Sequence, residues 1–298
     1  MSNAIELRGV SYSPSKKFEI RDLDLNVPAG SMYGFLGPNG SGKTTTMRLI
    51  MGMLRPAAGT IKVLDGYMSE DAPRLLARIG YVPERLHLYQ TLTVDEALRY
   101  HAAFYTSCDL DWAQELGDKL NLDPDQRLGS LSKGEMGKLM MVLALAQRPD
   151  LLILDEPTDG LDPVVRREVL MAVLEYVSEQ NATVFISSHL VHELERICDW
   201  VGVMDRGRLI AELPMQSFKN GMKRLRVQNP PALIEDTPFA VIGRESADGA
   251  GEVWVVRGWQ PSMTQYFEGT EATLREVVDL DLEEGFVELL RTFREDTV

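Results

Sequence analysis

The sequence is poor in cysteine, in long apolar runs and in positive charge. Cys108 and Cys198 are the only cysteines in 298 residues, too few for a disulfide framework, so free thiols in a reducing compartment are expected. The longest uninterrupted apolar run, residues 139–146, falls far short of the roughly 20 residues that a membrane-crossing helix needs. The opening stretch MSNAIELRGV lacks the basic start, apolar centre and small-residue cleavage site of a secretory signal. Lys and Arg number 31 against 45 Asp and Glu, a net charge of −14. A non-specific duplex binder carries a basic face, so nucleic acid is not the expected main ligand. What the chain does have is length and 44% hydrophobic residues, enough for a full core and more than one domain.

Apolar alternation at Leu23, Leu25 and Val27 predicts a strand, and 31–36 a second one that runs into the loop GPNGSGKT. A helix follows Lys43, then a strand over 61–64, a helical run over 74–79 and a strand over 80–82. This alternation implies parallel βαβ units. Residues from about 86 to 148 turn helical, with capping boxes at Thr93/Glu96 and Ser132/Glu135. Strand signals return over 151–154, 183–187 and 200–204, with a helix over 163–177 that opens on Pro163, a position where proline is well tolerated. From about 219 the pattern predicts a separate small α+β domain, with strands over 223–228 and 252–257. It closes on a helix over 282–293 that aligns Phe286, Leu289, Leu290 and Phe293. The methionines near 47–53 and 136–141 fall at helical spacing beside leucines and read as core, as do Trp254 and Trp259.

Gly37-Pro38-Asn39-Gly40-Ser41-Gly42-Lys43-Thr44 matches G-x-x-x-x-G-K-[ST] between a predicted strand and a predicted helix, the context in which this motif holds phosphate. Glycines let backbone N–H groups turn inward around phosphate oxygens, and the helix start adds partial positive charge. The Lys43 ammonium reaches the outer phosphates and the Thr44 hydroxyl suits Mg²⁺. Further on, the apolar run 151–154 ends in Asp155 and Glu156, and strand C-termini are where α/β sheets bind ligands. Asp155 fits a metal-associated position and Glu156 a base that activates water, which favours hydrolysis over transfer to a second substrate.

At this point the chain resembles the ATP-binding cassette family. Leu131-Ser132-Lys133-Gly134-Glu135 is similar to its LSGGQ signature and stands shortly before LLILDEP. Gly160-Leu161-Asp162 matches the D-loop, His189 the switch histidine, and Tyr12 the adenine-stacking aromatic, with Phe18 as a nearby rival. The resemblance covers about residues 5–213. It implies a P-loop NTPase core of the ABC-ATPase type, α/β, with an antiparallel β-subdomain and a helical insert (about 86–148) in residues 1–213. A small C-terminal α+β accessory domain follows in 219–298.

Further implications concern the ligands. ATP and Mg²⁺ are the implied cofactors, with Glu156, His189 and Lys43 catalytic. Tyr12, Gly37, Asn39, Gly40, Ser41, Gly42, Lys43, Thr44 and Thr45 would hold the nucleotide, and Ser132, Gly134, Glu135 and Asp162 would meet the ATP of an opposite subunit. Thr44, Asp155 and Glu84 would hold the metal. One chain carries one loop and one signature, so a homodimer or a heterodimer with a similar ATPase is implied. So is a separate transmembrane permease that docks at 86–90 and the insert, on the cytoplasmic side of the membrane. Two departures resemble those of ABC-2-type exporter ATPases: Glu84 stands where the Q-loop has glutamine, and Lys133-Gly134-Glu135 replaces Gly-Gly-Gln. A non-transport ABC ATPase and a nucleotide-dependent regulatory module are the alternatives.

Overall fold

The computed structural model describes residues 2–15, 18–85, 88–230, 237–247, 251–268 and 270–295. Residues 86 and 87, the start of the segment expected to face a permease, lie outside them. The chain forms two compact units: Met1–His189 with Met204–Leu209, and Leu190–Val203 with Ile210–Val298.

In the first unit, β1 (Asn3–Ser15) pairs antiparallel with β2 (Phe18–Pro28), whose alternate residues Leu23, Leu25 and Val27 are buried. After β3 (Met32–Leu36) come α1 (Lys43–Ile50), β4 (Ala58–Val63), β5 (Gly66–Tyr67), α2 (Met68–Leu76) and β6 (Ile79–Val82). The helices α3 (Val94–Ala102), α4 (Leu110–Lys119) and α5 (Lys133–Ala146) separate β6 from β7 (Leu151–Asp155), and α6 (Pro163–Gln180) leads to β8 (Thr183–Ser188).

The strand expected over 61–64 is corrected in its role. It is part of β4, which pairs antiparallel with β1 in a four-stranded sheet of order β2-β1-β4-β5 and belongs to no parallel βαβ unit. Its burial pattern, with only Ile61 and Val63 buried, is that of a strand with one open face. The helical run expected over 74–79 is displaced as well. Helix α2 begins at Met68, carries a non-helical Asp71 and an internal Pro73, and ends at Leu76, so Ile79 is already strand.

The parallel ladder runs β3-β8-β7-β6. Every residue of β3, β7 and β8 is buried, which is what a parallel sheet covered on both faces requires. Its register sets Leu36 beside Ser188 and Asp155 beside Ser187. The residues that follow these three strands therefore emerge together at one edge of the sheet: the phosphate loop after β3, Glu156 after β7 and His189 after β8.

The second unit holds α7 (Val191–Leu194), α8 (Met215–Gly221), β11 (Lys223–Gln228), β12 (Ala240–Ala247), β13 (Gly251–Arg257), α9 (Gln265–Glu268), β14 (Thr273–Asp279) and α10 (Leu282–Glu295). The strands β9 (Trp200–Asp205) and β10 (Arg208–Pro214) cross the boundary between the units. An antiparallel sheet of order β12-β13-β11-β14 packs one face on a core of Leu225, Val227, Trp254, Trp259 and Phe267. The edge strand β14 carries Arg275, Glu276 and Asp279 and a register shift against β11, two devices that discourage edge-to-edge association.

Candidate functional site

The phosphate loop closes on itself at the start of α1. Gly42 takes φ +119°, a conformation that favours glycine, and so turns the chain into the first helical turn. Lys43 is 5% exposed; its Nζ donates to the Gly37 carbonyl at 2.7 Å and pairs with Glu156 Oε1 at 3.1 Å. The ammonium thus lies folded back over the loop whose backbone it shares.

Asp155 ends β7 fully buried. Its Oδ1 accepts from Thr44 Oγ1 at 3.1 Å and from Ser187 Oγ at 2.8 Å. Its Oδ2 is buried with no hydrogen-bond partner among the described residues. Burial pushes the Asp155 carboxyl above the usual carboxylate range; the Ser187 and Thr44 hydrogen bonds oppose the shift, and the charges of Glu84 and Glu156 add to it. A carboxylate so placed is short of a positive partner. A hydroxyl, a buried carboxylate with one orphaned oxygen and a nearby second carboxylate form an all-oxygen donor set, which suits a hard divalent cation that shares its shell with phosphates.

Glu156 follows with φ +49°, and its backbone N–H donates to Ser187 Oγ at 2.9 Å. That turn swings the carboxylate toward β8. There Oε2 meets His189 Nδ1 at 2.8 Å and the His189 N–H at 3.3 Å, while Oε1 meets Lys43. The side chain is 11% exposed. One carboxylate therefore joins the loop after β3 to the residue after β8.

Around these groups lies a cavity of about 480 Å³. Of the residues expected at the site, Asn39, Gly40, Ser41, Gly42, Lys43, Thr44, Thr45, Glu84, Glu156 and His189 line it. Gly37 and Asp155 stand behind it, the first as acceptor for Lys43 and the second as acceptor for Thr44. The aromatic on its wall is Phe18, whereas Tyr12 lies opposite Ile20 on β1 and does not line it. Asp159, which sequence reasoning passed over, also lines the cavity; its place three residues after Glu156 was the available signal.

Ser132, Gly134, Glu135 and Asp162 do not line the cavity; they stand at two other helix starts. Ser132 caps α5: its Oγ accepts from the Glu135 N–H at 3.2 Å, and Glu135 Oε2 accepts from the Ser132 N–H at 2.7 Å. That hydrogen bond holds the Glu135 carboxyl below its ordinary range. Asp162 caps α6, with Oδ1 accepting from the N–H groups of Val164 and Val165.

The ABC transporter family profile matches residues 20–159. The bacitracin transport ATP-binding protein BcrA of Bacillus licheniformis is 31% identical over 97% of this chain and 98% of its own length. The family is thereby decided. The chain belongs to the ABC transporter ATP-binding family. The Nod factor export ATP-binding protein I of Cupriavidus metallidurans is 34% identical over 71% of both chains. A solved ATP-binding subunit of an ABC transporter superposes with a TM-score of 0.66 at 27% identity, over 73% of this chain and 92% of that one. An ABC ATPase binds and hydrolyses ATP, and the family profile spans the phosphate loop, Asp155 and Glu156.

Proposed function

We propose that this ABC ATPase energises a separate membrane permease of an ABC-2-type exporter, with Glu156 as the base that activates water. The observation that carries the reading is the Glu156 carboxylate held between Lys43 and His189 at the end of β7. Lys43 neutralises Glu156. When the triphosphate enters the loop, its oxygens offer the ammonium a stronger anion, and Glu156 is released to draw a proton from water. His189, already bonded to that carboxylate, keeps it aimed and contacts the γ-phosphate. Backbone amides of residues 39–45 and the start of α1 hold the remaining phosphate charge. Phe18, the aromatic on the cavity wall, is the better candidate than Tyr12 for stacking on adenine.

Thr44, Asp155 and Glu84 would hold Mg²⁺. The ion, when bound, neutralises charge on the outer phosphates. Residues 1–213 act as the ATPase domain and 219–298 as an accessory domain. Two copies, or this chain and a similar ATPase, close over two ATP molecules, so that Ser132, Gly134, Glu135 and Asp162 meet nucleotide held by the opposite subunit.

No helix among the described residues is long and apolar enough to cross a membrane; in this reading the permease is a separate polypeptide and this chain docks on its cytoplasmic face. An exposed aromatic ladder suits that docking: Tyr89, Tyr100 and Phe104 are 66%, 47% and 68% exposed, and their rings meet edge to face. The bacitracin and Nod factor relatives support an exporter. The test is purification from membranes in mild detergent. A permease should co-purify and raise the ATPase rate, and Tyr100→Ala with Phe104→Ala should lose the permease while keeping ATP binding. Full ATPase activity with no membrane partner retained would overturn the transport reading.

A further inference from the structure

Of Ile186-Ser187-Ser188-His189, the family resemblance uses only the histidine. Ser187, two residues before it, is wholly buried in β8 and follows the apolar Val184, Phe185 and Ile186. A hydroxyl taken out of water costs stability unless it is hydrogen-bonded, and this one is bonded twice. It donates to Asp155 Oδ1 at 2.8 Å and accepts from the Glu156 N–H at 2.9 Å. The register of the parallel ladder pairs Ser187 with Asp155, so the two side chains leave the same face of neighbouring strands.

The two bonds act on different carboxylates. A serine hydroxyl has one proton, and with the Glu156 N–H directed at its oxygen that proton is committed to Asp155. Oδ1 of Asp155 thereby receives two hydroxyls, from Ser187 and from Thr44 at 3.1 Å, while Oδ2 is buried with no partner among the described residues. One oxygen is fixed by the protein and the other is open to a cation. The second bond falls where β7 leaves the ladder. Glu156 takes φ +49° there, a left-handed conformation that residues other than glycine seldom adopt. Ser187 Oγ holds its amide in that turn, and the carboxylate reaches His189 Nδ1 at 2.8 Å.

We propose that Ser187 is a positioning residue for ATP hydrolysis: its single hydroxyl aligns the Asp155 carboxylate for the metal and holds the turn that aims Glu156. The inference rests on the reading of Glu156 as the base. Ser187 does not line the nucleotide cavity, so it acts through these two neighbours and not by touching nucleotide.

The test compares the full chain with Ser187→Ala and Ser187→Thr, each alone and combined with Glu156→Gln. Binding of a fluorescent ATP analogue is measured without Mg²⁺ and over a Mg²⁺ series, and hydrolysis by single turnover. Ser187→Ala should bind the metal-free analogue as the unsubstituted chain does and need roughly tenfold more Mg²⁺ for the metal-dependent binding. At saturating Mg²⁺ it should hydrolyse ATP about tenfold to a hundredfold more slowly. Ser187→Thr, which keeps the hydroxyl, should restore both. On Glu156→Gln, Ser187→Ala should shift the Mg²⁺ titration as before but slow hydrolysis hardly further, because the carboxylate it aims is gone. In Ser187→Ala, either the Mg²⁺ titration or the hydrolysis rate standing unchanged would overturn the proposal, as would a full further loss on Glu156→Gln. Loss of metal-free binding that Ser187→Thr fails to restore would overturn it too, by reducing Ser187 to a folding role. Hydrolysis at the unsubstituted rate by Glu156→Gln alone would overturn the base reading, a failure visible without any change at Ser187.

Discussion

The end of the parallel sheet and the start of α5 handle charge in opposite ways. At the sheet end, Lys43, Glu156 and His189 are packed against one another, and the lysine and glutamate are almost wholly out of solvent. At the signature turn, Lys133 and its partner Asp159 are exposed and Glu135 is half-buried, and their contacts are a cap and a long ion pair. In the first region one carboxylate takes both the lysine and the histidine as partners. The second satisfies its backbone through caps and leaves its cation in a long, exposed ion pair. Buried pairs are costly to break and exposed ones cheap, so the same kind of substitution should have very different consequences in the two places.

Lys43→Ala is the severest way to break that contrast. It removes the phosphate cation and strands the Glu156 carboxylate, so ATP affinity should fall at least on the order of a hundredfold and stability by about 3 kcal/mol. Isothermal titration and chemical denaturation read the two effects; loss of binding with unchanged stability would show that the buried pair contributes little. Glu84→Gln comes next. With one carboxylate fewer near Asp155, half-maximal ATPase activity should need roughly threefold to tenfold more free Mg²⁺, and an unchanged Mg²⁺ titration would remove Glu84 from the metal.

Smaller effects belong to the signature turn. Ser132→Ala should cost about 1 kcal/mol through the lost cap, measured by the denaturation midpoint. Glu135 has the smallest effect. Its carboxyl is held below the ordinary range by the Ser132 N–H, so the folded state binds its proton less readily than the unfolded state. The stabilisation is present above the unfolded value and is lost as pH falls through the folded one. Glu135→Gln should therefore lower stability slightly at neutral pH and leave acid pH nearly unchanged, which flattens the acid limb of the profile; an unaltered acid limb would discount the capping charge.

Much of the site can be read in the sequence because its parts are local. The phosphate loop is contiguous, the runs 151–154 and 183–187 are buried on both faces, and both capping boxes form at Thr93/Glu96 and Ser132/Glu135. Features fixed by tertiary register are harder to read. Strand β1 is broken by register shifts against β2 that blur its alternation. Of the two aromatics on these paired strands, Tyr12 and Phe18, Phe18 lines the cavity. Strand β14 is largely exposed and offers almost no apolar pattern. The meeting of Lys43 with Glu156 spans two strands that β8 separates in the ladder, and no spacing in the chain announces it.

The central claim is that Glu156 is the base, held by Lys43 until nucleotide takes the lysine away. Single-turnover ATP hydrolysis by Glu156→Gln, alongside direct measurement of ATP binding, tests it most directly. The account predicts binding at least as tight as in the unsubstituted chain, because Lys43 no longer has a carboxylate to leave, with hydrolysis slower on the order of a thousandfold. Hydrolysis at the unsubstituted rate, or weakened ATP binding, would contradict it.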